Sequence, residues 1–361
     1  MSSRFVVDLS LTLINRTGAS YLSNDLVERL PHHFLRRRYW RVFLRSAPRG
    51  PLRWMLGKAM LAELNHPWVT ALLPAWGRMA ATARHPTLFL DPLYVLGANI
   101  DATDLVLCHD IGPVSAPHLF DPRVAALYAK AYERIRARRP GMIFVSEASR
   151  NAFVASFGND YRFLEVIPLY VRAGCAQGAS RPPRGVVKPF LLTVGSKEIR
   201  KNYLRSIEAF AKSNLTERGY SYVFCGARAN GSAAIEALAR TTRGVRSLGY
   251  LDDAELRWLY RHASGFVLPS LLEGFGMPAL EAAQHGLLSV ISHEGALPEA
   301  VGEGAILVDP ARPDEIAAGM LRLVDMPTPE RESRLSIARR HAAELSFDRY
   351  LASWSALLEK A

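Results

Sequence analysis

The stretch Ser270 to Gly286, SLLEGFGMPALEAAQHG, sets two carboxylates, Glu273 and Glu281, eight residues apart around a Gly-Phe-Gly turn and a proline. Such a pair could work as acid and base, or as two grips on one ligand. Pro278 suits the first turn of a helix, where its missing N–H would have had no partner anyway. The helix predicted from there runs to about Gln284, and Gly286 can cap its C-terminus. The N–H groups of Gly276 and Met277 then lie at a helix N-terminus, which suits a phosphate. Gly274 and Gly276 would let a ligand approach the backbone closely. Glu273 falls in the loop before the helix and Glu281 about one turn inside it. Taken alone, either glutamate could equally cap or pair on a surface helix.

Three further stretches carry chemistry. In VGSKEIRKN (Val194 to Asn202) an apolar strand ends in glycine, and Arg200 and Lys201 follow. Lysine is a point charge for phosphate and arginine a fork for it; a solvated loop end is the plain alternative. In LCHDIGP a buried strand delivers His109 and Asp110 to its C-terminal end, although a lone histidine there is often structural. In INRTGASYL, Gly18 could admit a phosphate or sugar beside the first helix, on the weak evidence of one loop glycine.

Those residues need a frame. From Lys188 onward apolar strands alternate with helix-patterned segments: KPFLLTVGS, YSYVFCGA, GVRSLGYL, GFVLPS, LLSVIS and AILVDP are the strands. Asp252 caps the helix DDAELRWLYRHA. This alternation means a parallel sheet covered on both faces. The first half alternates less regularly. RFVVDLSLTL reads as the first strand and ASYLSNDLVERL as the first helix, with DLVLCHD, GMIFVSE and FLEVIPLY as later strands. The Gly-, Pro- and Arg-rich segment at 173–188 reads as a linker. The predicted fold is α/β, with two Rossmann-like doubly wound domains, residues 1–172 and 189–345, facing a central cleft where ligands bind. The tail at 346–361 is an amphipathic helix with Phe347, Tyr350, Leu351 and Trp354 on one face.

At 361 residues, 49% hydrophobic and 22% charged, the chain has a globular composition long enough for two domains. Cys108, Cys175 and Cys225 are far apart and without metal-like spacing, so they read as reduced thiols of a cytosolic protein. Net charge is +11. No acidic residue occurs between Glu28 and Glu63, while nine Arg or Lys do, interleaved with Phe34, Tyr39, Trp40, Phe43 and Trp54. This stretch, residues 29–60, suits an anionic membrane surface. A solvated basic face and a nucleic-acid surface are the alternatives, the latter without a motif behind it. The expected location is cytoplasmic, peripheral on the inner face of the membrane.

VGSKEIRKN, LGYLDDAELRWLY, PSLLEGFGMPALEAAQHG and ALPEAVGEGAILVDP occur in an order and spacing that resemble the C-terminal half of the retaining family 4 glycosyltransferases of the GT-B fold. CHDIGP and VSEASRNAFVASFG resemble that family's N-terminal half. The likeness is strong over about residues 188 to 320 and thin in the first hundred. It implies a hexosyltransferase with a nucleotide-sugar donor held mainly by the C-terminal domain and an acceptor on the side of the N-terminal domain. Glu281 would hold the ribose hydroxyls and Glu273 the donor sugar. The backbone of Gly274, Phe275, Gly276 and Met277 would touch sugar and phosphates, and Gly249, Tyr250 and Leu251 would lie beside the base. Lys201 and Arg200 would neutralise the leaving diphosphate, and His109 would contact the sugar from the N-terminal side. Gly18 would line the donor site. Fixed cations and a helix end can stabilise that charge without a metal, and no Asp-x-Asp pair is placed to hold one, so no cofactor or metal is expected. Retention would proceed by same-face attack, with the leaving phosphate taking the acceptor proton.

Two departures stand out: Ser196 replaces an Arg that some members carry, and the N-terminal Gly-Gly pair is missing. The RTGASYL form resembles a subgroup found among polysaccharide mannosyltransferases. The implied reaction is therefore mannosyl transfer from GDP-mannose to a glycan or lipid-linked acceptor in polysaccharide biosynthesis. A UDP-glucose or UDP-GlcNAc transferase, and a non-catalytic sugar-nucleotide-binding relative, are the alternatives. The last helix of this fold class often crosses back to the N-terminal domain.

Overall fold

The computed structural model describes residues 5–14, 18–66, 85–171 and 178–361. Part of the predicted linker, with Cys175, lies outside the described residues.

The N-terminal part contains β1 (Phe5–Asp8), α1 (Leu11–Ile14), α2 (Gly18–Arg29), β2 (Phe34–Tyr39), β3 (Val42–Leu44), α3 (Gly50–Asn65), β4 (Thr87–Phe89), β5 (Leu105–Cys108), α4 (Gly112–Ser115), α5 (Pro122–Arg138), β6 (Gly141–Phe144), α6 (Glu147–Phe157) and β7 (Phe163–Val166). Its sheet runs β3-β2-β1-β4-β5-β6-β7, parallel except for the β2–β3 pair. The C-terminal part contains β8 (Phe190–Val194), α7 (Tyr203–Lys212), β9 (Ser221–Cys225), α8 (Ser232–Thr241), β10 (Val245–Leu248), α9 (Asp253–His262), β11 (Gly265–Leu268), α10 (Met277–Gln284), β12 (Ser289–Ser292), α11 (Leu297–Val301), β13 (Ile306–Val308) and α12 (Pro313–Asp325), then α13 (Thr328–Glu344) and α14 (Phe347–Lys360). Its sheet is parallel throughout, in the order β10-β9-β8-β11-β12-β13. Strand order reverses between β1 and β4 in the first sheet and between β8 and β11 in the second. Each reversal opens a crevice at the carboxyl ends of the strands.

Both sheets are doubly wound, as the alternation of apolar strands and amphipathic helices predicts. The inner C-terminal strands β8, β11 and β12, with β9, are buried on both faces, which is why they read as largely apolar runs. Asp252 caps α9 in a reciprocal capping box with Glu255. The first strand is shorter than predicted. Asp8 Oδ1 accepts the Ser10 N–H at 2.9 Å and the Thr12 hydroxyl donates to the Leu9 carbonyl at 2.7 Å. These local side-chain bonds turn the chain out of the sheet and into α1. The basic stretch at 29–60 is structured as β2, β3 and α3.

One apolar cluster runs from the N-terminal sheet onto one face of the C-terminal sheet, and a second covers the other face of the C-terminal sheet. Helix α14 lies on the N-terminal part. Tyr170 meets Phe347 and Tyr350 at 4.7 Å each, Arg29 stacks over Phe347, and His33 Nε2 is 3.2 Å from Ser355 Oγ.

Candidate functional site

Strands β8 and β11, which flank the C-terminal reversal, carry the chemistry on the loops that leave them. After β8 the chain passes Gly195, makes a short turn over Ile199–Lys201, and enters α7 through Asn202 in the left-handed region (φ 60°), a conformation asparagine tolerates. The Asn202 amide donates to the carbonyls of Pro269 and Pro310 at 2.8 and 2.7 Å, pinning this turn to the ends of β11 and β13. Lys201 is buried. A side chain at Gly195 would strike its stem, Cδ and Cε both 2.8 Å from where a Cβ would stand. A glycine there is what leaves room for the lysine.

Glu273 bridges the two cations. Lys201 Nζ donates to Oε1 at 2.6 Å, Arg200 Nη1 to Oε2 at 2.8 Å, and the Ser270 hydroxyl to Oε1 at 3.0 Å. Arg200 is held further by the Leu272 carbonyl at 3.0 Å and by Glu198. Burial pushes the Glu273 carboxyl up, but Lys201 and Arg200 outweigh it and hold it down at about 2. The plain alternative for Arg200, a solvated loop end, does not apply, since its side chain is 16% exposed and paired.

Beyond Glu273 the chain turns through Gly276 (φ 104°), the N-cap of α10, with Pro278 in the first turn and Gly286 (φ 75°) after the last. Glu281 points inward from α10. Tyr260 of α9 donates its hydroxyl to Oε2 at 2.8 Å, and burial pushes the carboxyl up to about 7. It is not a surface-helix residue.

On the side where a Cβ would stand, both turn glycines meet protein. A Cβ on Gly274 would lie 2.2 Å from the His109 carbonyl, and one on Gly276 2.5 Å from Leu297. Gly274 is thus one of the points where the two halves of the molecule meet. Its carbonyl accepts from Ser146 Oγ at 2.8 Å and lies 3.2 Å from Ser149 Oγ. Nearby, the Glu299 carboxylate of α11 accepts the N–H groups of Glu147 and Ala148, at 2.8 and 2.6 Å, at the start of α6.

From the N-terminal side, β5 delivers His109 to this junction. Its Nε2 donates to the Leu90 carbonyl at 3.1 Å, which leaves Nδ1 as the acceptor of the neutral ring. His109 and Arg200 line one cavity together with Asp91, Asp110 and Tyr128. The remaining predicted residues lie further along the edge. Gly249 accepts the Gly226 N–H at 3.1 Å, Tyr250 is 76% exposed, and Leu251 packs on the core. Phe275 is buried and Met277 half-buried. Gly18 opens α2, with nothing within 4 Å of where a Cβ would stand.

Sequence reasoning left several residues unassigned. Tyr260 holds Glu281 from another helix. Buried Lys197 pairs with Glu236 at 2.6 Å and donates to the Leu248 carbonyl at 2.9 Å, just before Gly249. Asp91 closes the apolar run TLFLDP, the same strand-then-carboxylate pattern that singled out LCHD, and that pattern could have found it. Among the described residues no group of three or more His, Cys, Asp or Glu side chains is arranged to hold a metal ion.

The chain is similar to known proteins in sequence and in fold. The chain is 30% identical over 245 residues to the MMP alpha-(1->4)-mannosyltransferase of Mycolicibacterium hassiacum, covering 65% of this chain and 57% of that protein. It is 36% identical over 137 residues to O-antigen chain mannosyltransferase B of Escherichia coli, covering 37% of this chain and 36% of that protein. The chain thus matches between about a third and somewhat over half the length of these curated relatives. Anabaena HepE, solved in complex with UDP and glucose, superposes with a TM-score of 0.73 at 16% identity, over 99% of this chain and 100% of that one. The sucrose-phosphate synthase of Thermosynechococcus elongatus gives 0.71 at 17% identity, over 99% and 98%. These likenesses establish the shared GT-B fold. The family model for glycosyl transferases group 1 matches residues 181–341, the part that carries Lys201, Glu273 and Glu281.

Proposed function

We propose that the protein is a retaining, metal-independent hexosyltransferase that moves mannose from GDP-mannose to a glycan or lipid-linked acceptor in polysaccharide biosynthesis. The observation that carries the reading is Glu273 bridged by Lys201 and Arg200 at the N-terminus of α10. A carboxylate offers about four acceptor positions. Three are filled here, and the fourth can take a hydroxyl of the donor sugar. An ammonium has three N–H groups. Glu273 takes one from Lys201, so others remain for a phosphate. As the glycosyl–phosphate bond breaks, its electron pair stays on the diphosphate. Lys201, Arg200 and the N–H groups of α10 meet that charge in this reading. The acceptor oxygen attacks the anomeric carbon from the same face, and its proton passes to the departing phosphate. Glu281 receives the ribose hydroxyls, and His109 offers Nδ1 to the donor sugar. Glu273 is a grip and a partner for the cations, not a nucleophile.

Mannose is favoured by the names of the two curated relatives. The UDP and glucose bound to HepE favour a second reading, a UDP-hexose transferase. A panel of GDP-mannose, UDP-glucose and UDP-GlcNAc with labelled sugars decides between them. GDP-mannose is expected to be used best, in chelator as well as without it, with the anomeric configuration of the product matching the donor. Better use of either UDP-sugar removes the mannose assignment. Donor binding without transfer to any acceptor or to water supports the non-catalytic alternative.

Attachment to an anionic membrane surface through residues 29–60 belongs to the same reading. Arg38 and Arg41 are committed to Asp8 and Glu63, so fewer charges are available than the sequence count implies. Arg36, Arg45, Arg49 and Lys58 are exposed, and so are Phe43, Leu52, Trp54 (64%) and Met55 (59%). Among the described residues no helix is long and apolar enough to cross a membrane.

A further inference from the structure

Three side chains outside the donor set join the halves of the molecule, and all three meet at the first turn of α6. Ser146 is the N-cap of that helix, and its Oγ accepts the Ser149 N–H at 3.1 Å. The cap uses a lone pair and leaves the hydroxyl proton, which reaches across to the Gly274 carbonyl at 2.8 Å. Ser149 Oγ lies 3.1 Å from the His109 carbonyl and 3.2 Å from that of Gly274. A hydroxyl has one hydrogen to give. Two carbonyls and two hydrogens match when Ser146 serves Gly274 and Ser149 serves His109. Both serines and Gly274 are buried, so losing either hydroxyl leaves a carbonyl unsatisfied. From α11, Glu299 accepts the Glu147 and Ala148 N–H groups, one on each oxygen. These open the helix and have no partner inside it, and a carboxylate suits that positive end. The Glu299 main chain is held in turn, with its carbonyl 2.6 Å from Nε2 of His341 on α13.

We infer that Ser146, Ser149 and Glu299 are positioning residues: they clasp the C-terminal part to the start of α6 and so set how far His109 stands from Glu273. This rests on the transferase reading above, in which those two residues grip the donor from opposite halves and none of the three clasp residues does. The clasp holds the backbone of His109 itself and of Gly274, which directly follows Glu273. A donor gripped from both sides needs the halves together, so a chain already clasped spends less of the binding free energy on joining them. Without the clasp a looser arrangement is populated. Apparent donor affinity then falls by the fraction of chains still joined, while bound donor restores the joined state.

The test compares the full chain with Ser149→Ala, Glu299→Gln and the double variant. Ser149→Ala leaves the Ser146 cap in place. Glu299→Gln keeps the shape but sets an amide NH2 against one of the two N–H groups. Each should raise the KM for GDP-mannose, or for UDP-glucose if the donor panel selects it, about fivefold, with kcat at saturating donor within about twofold. The double variant should have a larger radius of gyration than the unaltered chain by small-angle X-ray scattering, and saturating donor should reverse the expansion. A role in local stability alone predicts another pattern, a lower kcat at unchanged donor KM from a smaller folded fraction, and that result overturns the inference. So does a double variant as compact as the unaltered chain, or one that expands with its donor KM unmoved. If no donor turns over or binds and the double variant still expands, the transferase reading fails and the clasp between the halves stands.

Discussion

Glu273 and Glu281 sit at the two ends of one short segment, yet their surroundings pull them in opposite directions. Around Glu273 two cations from the turn after β8 overcome burial, and the carboxyl stays at about 2. Around Glu281 the contacts are the Tyr260 hydroxyl and the packing of α9, burial prevails, and the carboxyl rises to about 7. The first region keeps its charges paired with one another, and in the proposed function its cations meet the diphosphate. The second accepts the Tyr260 hydroxyl and, in the proposed function, the ribose hydroxyls.

The largest expected effect is at the charged end. Lys201→Met keeps bulk but removes the ammonium, and transfer should fall about 1,000-fold, the scale of losing one group that stabilises transition-state charge. Steady-state kinetics checks this, and a loss under tenfold would remove the cation from the mechanism.

Stability against pH separates the two carboxylates next. Glu273 is depressed, so its contribution is complete above the ordinary glutamate range and is lost as pH falls toward 2. Glu281 is raised, so the folded chain keeps a proton that the unfolded chain releases, and stability drops as pH climbs from about 4.5 to 7. Each shift corresponds to about 3 kcal/mol. Glu281→Gln should flatten the fall between pH 5 and 7.5 in urea-denaturation midpoints. An unaltered profile would mean that Glu281 does not titrate in that window.

Donor affinity should follow the same group with the opposite benefit. If ribose hydroxyls bind the ionised carboxyl, affinity for the nucleotide sugar rises about tenfold from pH 6 to 8, and binding at pH 6.5 releases a proton. Calorimetry in two buffers of different ionisation enthalpy measures that release, and Glu281→Gln should abolish it. The smallest effect lies far from both glutamates. Arg45→Ala or Arg49→Ala should each weaken binding to phosphatidylserine vesicles about fivefold, near 1 kcal/mol per charge, with transfer to a soluble acceptor unchanged. Vesicle affinity insensitive to both changes argues for a plain solvated face.

The C-terminal half was the legible one, because its signals are local and agree with one another. The capping box at Asp252, the proline at position 278 and the glycine at 286 each act within a turn of their own helix. The N-terminal half hid more. β2 reads FLRRRY, with Arg38 made acceptable in the sheet by Asp8 of the neighbouring strand, and no local pattern announces that partner. β1 ended early for a reason visible only in the hydrogen bonds of Asp8 and Thr12. Arg200, Lys201, Glu273, Glu281 and His109 were all singled out by type and position. Tyr128 and Tyr260 were not, since each matters only through a residue distant in the chain, and Asp91 was missed although it ends an apolar run as His109 does.

By itself the sequence determined where strands hand over to helices, which helix ends stand at the strand edges, and which charged residues those edges carry. These follow from backbone preference and capping, which act over a few residues. Only the tertiary structure decided that Lys201 and Arg200 close on Glu273, that Gly274 yields its open side to the His109 carbonyl, and that one glutamate ionises easily while its neighbour resists. Those outcomes depend on burial and on charges brought together across the sheet, and no local pattern encodes either.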